Sequence, residues 1–556
     1  MKKTVLLAIL GITSMVIGSE RTWGAQLITR CVDASGSGNY TDLQSALDYA
    51  KGVIGPVLIR VAQGTYTGYS TIYSSNGYSL TLRGGYDPGT GCATRVLDPS
   101  LTILDGGGTG KVLHLTKDDP CGSITVDGFT IQNGRGSSLS GGGLDVRSTS
   151  SSGAAGDITV TNSIFIRNSA AERGGGVFAY SRGQTGSGRI TISNNTFARN
   201  SAGDDGGGIY AASYSDSAGI VGTITIQGNT CTENHAVYEG GGIYAESFST
   251  LGASGDITLQ GNNCTKNTTG RSGGGIYAES LGVTGSGEIS VESNICISNT
   301  ADSNGGGIFA HSSSPSGTAG AVLIRGNTVS GNTASVCGGI NAESHSNSGT
   351  GGPVTFVNNI VTGNTANNYP PGGVIAESST NRDSGGSTSA VTFTNNTITQ
   401  NSANQIGGAY LRSDENYVYV YNNIIWRNTG ADIFLYNIAR TYGFNNNYST
   451  LVGTWEFEGN NMNVDPRFGE PGYWDNAGTP ADSSDDVWVN GNYHLAKSSP
   501  CIDKGLNTAP GIPNEDVEGD TRILNGMVDI GADESKFRPT TPAISPVLIL
   551  ILNEDS

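Results

Sequence analysis

Gly240-Gly-Gly-Ile-Tyr-Ala-Glu-Ser247, then a Gly/Ser loop, Ile257-Thr-Leu259 and Asn262-x-x-x-x-Asn267, forms one unit of a pattern that recurs along most of the chain. The last glycine of each cluster is Gly143, Gly176, Gly208, Gly242, Gly275, Gly307, Gly339, Gly373 and Gly408, so the intervals run from 32 to 35 residues. A fixed period of this size marks a solenoid of stacked supersecondary units.

Alternation inside the unit assigns faces. The first position after the marker glycine is Leu144, Val177, Ile209, Ile243, Ile276, Ile308, Ile340, Val374 or Ala409, and the fifth is serine in all nine units, Ser148 through Ser413. Side chains of a strand alternate between its two faces, so the odd positions point inward and the even ones outward. The second run behaves alike, with Ile224/Ile226 and Ile257/Leu259 inward and Thr225 and Thr258 outward. Three short strands per unit cannot bury their inner face alone. Stacking each coil on the next, with strands ~4.8 Å apart, closes one core. The expected fold is therefore all-β, a single-stranded parallel β-helix of the pectin-lyase-like kind. Crossovers between parallel strands favour the right hand.

Composition agrees. Glycine supplies 85 of 556 residues and charged residues only 14%, against the usual ~7% and about a quarter. Collagen is excluded by the spacing of the glycines, and a helical bundle by the ~1 kcal/mol that each interior helix glycine costs. The net charge is −18 and no basic run exists, which argues against nucleic acid and acidic membrane surfaces as partners.

Residues 1–25 have the layout of a signal peptide: Lys2-Lys3, an apolar stretch from Val5 to Ile17, then small and polar residues. The rest of the chain has no apolar run near the ~20 residues of a membrane span. A secreted, extracellular, cell-surface or outer-membrane-associated monomer is expected. Export permits disulfides among the eight cysteines, and Cys92 with Cys121 is the pair favoured. Cys231, Cys264 and Cys296 occupy a column held elsewhere by Phe165, Phe197, Val329, Val361, Ile398 and Ile425. They read as buried apolar filler. The second asparagines of the units, Asn168 to Asn428, read as a hydrogen-bonded ladder.

Phe165-Ile-Arg-Asn168 and Phe197-Ala-Arg-Asn200, alternating with Gly-Gly-Gly-Ile, resemble the repeats of polymorphic outer membrane proteins. The ends resemble bacterial right-handed β-helix proteins of the choice-of-anchor type. At the N-terminal end the matching stretches are Tyr40-Thr-Asp-Leu-Gln-Ser-Ala-Leu-Asp48 and Val126-Asp-Gly-Phe-Thr-Ile131. At the C-terminal end they are Asp465-Pro-Arg-Phe468, Ser499-Pro-Cys-Ile-Asp503 and Val528-Asp-Ile-Gly-Ala-Asp533. The resemblance implies a capping helix near residue 45 and a surface or secreted role. Two departures stand out: Cys or Val replaces Phe in most units, and with 21 residues after Ser535 the membrane barrel of that family is not expected here. The expected organisation is a signal peptide (1–25), N-terminal cap and first coils (27–135), repeats (136–460), a loop-rich C-terminal cap (461–535) and a tail without assigned role (536–556). Trp426, Trp455, Trp474 and Trp488 are expected to help cover the open C-terminal end.

Function is left to the outward columns. Phe178, Tyr210, Tyr244, Tyr277 and Phe309 follow one another at the second position, and Glu246, Glu279, His311, Glu343 and Glu377 stand beside them at the fourth. Such a face either stabilises the sheet through neighbour pairs or offers a polysaccharide stacking rings and hydrogen-bonding carboxylates. A binding, adhesin-like or scaffold role is expected. The alternative is a polysaccharide lyase or glycoside hydrolase on the same face, since carboxylates of adjacent coils approach the ~5 Å of a retaining pair. No cofactor is required. The acidic loops at Asp482, Asp485, Asp486 and Asp516-Val-Glu-Gly-Asp520 read as turns that could take Ca²⁺.

Overall fold

The computed structural model describes residues 26–537 apart from 119–121, 137–139, 382–384, 437–439 and 477–485. The proposed signal peptide, Cys121, Asp482 and Asp485 lie outside the described residues, as does the tail beyond residue 537. The chain is a right-handed parallel β-helix of about 11 turns, 49% strand and 3% helix.

Among the described residues the strands form four long parallel sheets. In the unit quoted above, sheet 1 takes the seven-residue strand Ile243–Ser249, sheet 2 Ile257–Gln260 and sheet 3 Asn263–Thr265. Sheet 4 takes the two-residue strand Thr268–Thr269, a fourth strand where three were expected. Every column pairs with its own copy, as in Ile209↔Ile243↔Ile276 and Cys231↔Cys264↔Cys296. The inward assignment holds: Ile243, Ala245, Ser247, Ile257, Leu259 and Cys264 are all fully buried in the core.

The turns between sheets are held by two asparagine ladders. In the second, Asn267 Nδ2 donates to Cys231 O (2.9 Å) and to Asn299 Oδ1 (3.0 Å), while its own Oδ1 accepts from the backbone N–H and the Nδ2 of Asn234. The first asparagines, Asn195 through Asn446, repeat the arrangement at the corner between sheets 2 and 3. The second ladder runs in one direction and ends on Asp432, whose Oδ1 accepts from Asn428 and whose Oδ2 accepts from Ser449 and Thr450. Only acceptors are needed at that end, and a carboxylate has nothing else to offer.

The N-terminal end is closed by the expected helix, Leu43–Gly52. Asp42 caps it by accepting from Ser45 N, and Leu43, Ala46, Leu47 and Ala50 form its buried stripe. The favoured disulfide is corrected: Cys92 pairs with Cys31, their Cα atoms 5.7 Å apart, so the loop after Gly84-Gly-Tyr86 is tied to the edge strand Ile28–Val32.

The C-terminal segment also departs from expectation. Trp455 does lie at the last coil, against Gly443, with its indole N–H on Tyr448 Oη. Beyond residue 465, however, the chain turns back and runs along the flank as a strap over the outer face of sheet 3. Asn445 donates to Lys504 O, Asn422 exchanges hydrogen bonds with Leu506, Thr394 reaches Pro510 O and Asn358 reaches Glu515 O. The strap thus crosses four coils toward the N-terminal end. Leu495, Cys501, Ile502 and Ile530 bury Ile424 beneath it. Trp474 and Trp488 belong to this flank, not to the open end: Trp488 lies on Gly331 and Gly363.

Candidate functional site

The aromatic column of sheet 1 is outward but not exposed. Phe178, Tyr210, Tyr244 and Tyr277 retain 5, 0, 7 and 9% of their accessible surface, and Phe309 is half-buried. The rings stack at centroid spacings of 4.8–5.0 Å with interplanar angles of 2–12°. The first glycine of each triplet has a positive φ (67° at Gly174, 68° at Gly240, 71° at Gly273) and lies so close that a Cβ there would stand 2.7–2.8 Å from the aromatic residue. The turn therefore packs against the Cα and Cβ atoms at the base of the column. The rings are taken up by one another and leave sugars no free face along the stack. Arg147 closes its N-terminal end, 4.7 Å above Phe178.

The neighbouring column, Glu246, Glu279, His311, Glu343 and Glu377, is half-buried and reaches solvent. Tyr214 donates its hydroxyl to Glu246, Tyr277 to Glu279 Oε2 at 3.3 Å, and His311 Nδ1 lies 3.3 Å from Glu279 Oε1. Arg412 ends the column in an ion pair with Glu377 at 2.9 Å. Burial pushes the Glu246 and Glu377 carboxyls above their usual range. Burial opposes charge on His311, but its hydrogen bond to Glu279 and the fields of Glu343, Glu279 and Glu377 outweigh this and raise its pKa.

At the N-terminal end of the same face stands a cluster that histidine counting along the sequence does not disclose. Tyr73 Oη and Tyr69 Oη lie 2.9 and 3.2 Å from His114 Nδ1, and His114 Nε2 lies 3.7 Å from Asp145. Asp145 is fully buried and also binds Lys111 and Arg147. Burial lowers the His114 pKa, which favours the neutral imidazole beside two half-exposed phenols. These residues come from different coils, and only the stacking register brings them together.

A flank groove of about 830 Å³ lies between the solenoid and the hairpin Tyr473–Asp475/Val487–Val489. Its floor is a hydroxyl ladder on the outer side of sheet 4. Thr300, Thr333, Thr365 and Ser402 pair in register, and Thr429 follows with its hydroxyl on Ser402. Lys266, Asn367 and Gln400 add polar ends, and Trp474, 38% exposed, forms a wall. A signal for it was in the sequence: the residue after every second asparagine is Ser, Thr or His in all nine units. A second signal is the column Arg199, Glu233, Lys266, Ser298, Gln400 and Arg427, interrupted by glycine only at 331 and 363, where the Trp488 indole docks.

Among the described residues no helix is long and apolar enough to cross a membrane. The chain matches no family model, and no curated protein matches it significantly.

Proposed function

We propose that this protein is a secreted or surface-displayed binding solenoid that holds an extended polysaccharide along its flank groove. The observation that carries the reading is the five-coil hydroxyl ladder walled by the exposed Trp474. A row of hydroxyl and amide groups exchanges hydrogen bonds with sugar hydroxyls, and an indole with a free face packs against a pyranose ring. The acid column from Glu246 to Glu377 is a second contact face for the same class of ligand, reached through its carboxylates. Kinship with choice-of-anchor or polymorphic outer membrane repeats is part of this proposal and rests on the motifs alone. Affinity electrophoresis of the mature chain through neutral and acidic polysaccharides tests it. One class should retard the protein, and Trp474→Ala or Thr333→Val should restore mobility by weakening binding tenfold or more. Retardation unchanged in both variants would remove the groove from the proposal.

One arrangement favours the enzymatic alternative. Tyr73 Oη meets His114 Nδ1, His114 Nε2 meets the Thr116 hydroxyl at 3.0 Å and lies 3.7 Å from buried Asp145, and Arg147 and Lys111 stand beside them. A hydrogen-bonded phenol–imidazole pair of this kind can move a proton at a sugar carbon or leaving oxygen. New unsaturated or reducing ends that vanish in Tyr73→Phe would establish that reading. Products that vanish instead in Glu246→Gln or Glu279→Gln would move the chemistry to the acid column.

A further inference from the structure

We propose that His494, Glu518 and Asp533 form a binding site for one divalent transition-metal ion of the zinc or manganese class. The three residues come from separate parts of the strap: the strand Asn492–Leu495, the acidic loop 516–520 and the segment ending at Ser535. Their ligand atoms all lie within 4.8 Å of one another. His494 Nε2 stands 2.8 Å from Glu518 Oε2 and 3.8 Å from Asp533 Oδ1. Ligands ~2.0–2.1 Å from a tetrahedral zinc stand about 3.3 Å apart, and these two distances bracket that value.

The supporting contacts favour this arrangement. Asn492 Oδ1 accepts from His494 Nδ1, which leaves Nε2 as the atom presented to the carboxylates. The Asp533 side chain is 9% exposed. Its Oδ2 accepts from Leu495 N, whereas Oδ1 takes no hydrogen bond among the described residues and faces the imidazole. Asp516 accepts from the backbone N–H groups of Glu518, Asp520 and Glu534, and so builds the loop that carries Glu518. With Asp516 so engaged and Asp520 paired to Lys536 at 2.9 Å, the loop itself offers no ring of free oxygens for Ca²⁺. A nitrogen ligand points to a borderline cation instead.

Charge points the same way. Asp516, Asp529, Asp533 and Glu534 crowd one buried cation, Arg522, which lies 3.7 Å from Glu534. The three ligands open on a cavity of about 330 Å³ over Thr328, Ile360 and Thr362 of sheet 3, room for water to complete the coordination. A bound ion would join three stretches of the strap and offset its negative surplus.

The test uses the full mature chain, stripped with chelator and titrated calorimetrically with ZnCl₂, MnCl₂ and CaCl₂. One ion of Zn²⁺ or Mn²⁺ per chain is expected, with Ca²⁺ at least tenfold weaker. His494→Gln should weaken the tighter ion tenfold or more, with loss of the imidazole signature in X-ray absorption. Glu518, about half exposed, can be changed to Gln without disturbing packing, so it decides the matter if His494→Gln fails to fold. Absence of stoichiometric binding, affinity unchanged in Glu518→Gln, or Ca²⁺ bound as tightly as Zn²⁺ would each overturn the site.

Discussion

His311 shows how far a single position in a repeat can depart from its column. It replaces a glutamate between Glu279 and Glu343, and the charges facing it are Glu279, Glu343 and Glu377. A histidine whose folded pKa is raised stabilises the fold fully below its unfolded value of ~6.5 and loses that contribution as pH rises through the folded value. The carboxyls of Glu246 and Glu377, also raised, act in the same sense at lower pH. Thermal melts at constant ionic strength should therefore show stability falling between pH 6 and 8.5, and His311→Asn should flatten that slope. An unchanged slope would mean that His311 binds its proton equally well folded and unfolded, and a steeper one that burial keeps it neutral. Which side chains face inward was legible from alternation, as Ser247, Cys264 and Ile243 show. Exposure of the outward rings was not, because Tyr244 is buried by stacking between Tyr210 and Tyr277 of the adjacent coils, and period-2 alternation says nothing of it.

The asparagine ladders belong to the scale of the coil corner. The ladder from Asn168 to Asn428 was legible because an amide can donate and accept in one line. The two-residue strands of sheet 4 were not, since no periodicity can be read from Thr268–Thr269. Replacing Asn267 by alanine would orphan the backbone N–H and one amide proton of Asn234, and the carbonyl of Cys231. Each group is buried, and an unsatisfied buried group costs about 1–3 kcal/mol, so a loss of about 3 kcal/mol or more is expected in denaturant unfolding. Asn267→Asp should be no milder: its carboxylate accepts from Asn234 but faces Asn299 Oδ1 and Cys231 O without a proton to give. The same carboxylate is at home at the ladder's end, where Asp432 meets donors on both oxygens. Hydrogen exchange should place the damage in the coils around residue 267, because each coil touches only its neighbours.

At the scale of the whole molecule the rod was legible and the strap was not, since its contacts span up to 164 residues and obey no period. Only a trace was present: glycine at 331 and 363 in a column otherwise filled by Arg199, Glu233, Lys266, Ser298, Gln400 and Arg427. That column has φ near +54° to +64° in every case, with or without a side chain. Backbone conformation therefore does not demand glycine there; the indole does. A Cβ on Gly363 would stand 2.5 Å from the Trp488 ring, and one on Gly331 would stand 2.4 Å from Trp488 Cβ. Gly363→Ala should thus cost about 1–3 kcal/mol as an overpacking change, and the cost should fall on the strap. Limited proteolysis is expected to cut the hairpin around Trp474 and Trp488 faster while the coils stay intact. Trp488→Ala, made together with Gly363→Ala, should remove the clash and add little to the effect of Trp488→Ala alone. If Gly363→Ala instead melts the coils and spares the hairpin, the glycine serves the corner of the solenoid and the docking argument fails. Where docking holds, the loosened hairpin takes the groove wall with it, and polysaccharide retention should fall although no residue of the hydroxyl ladder has changed.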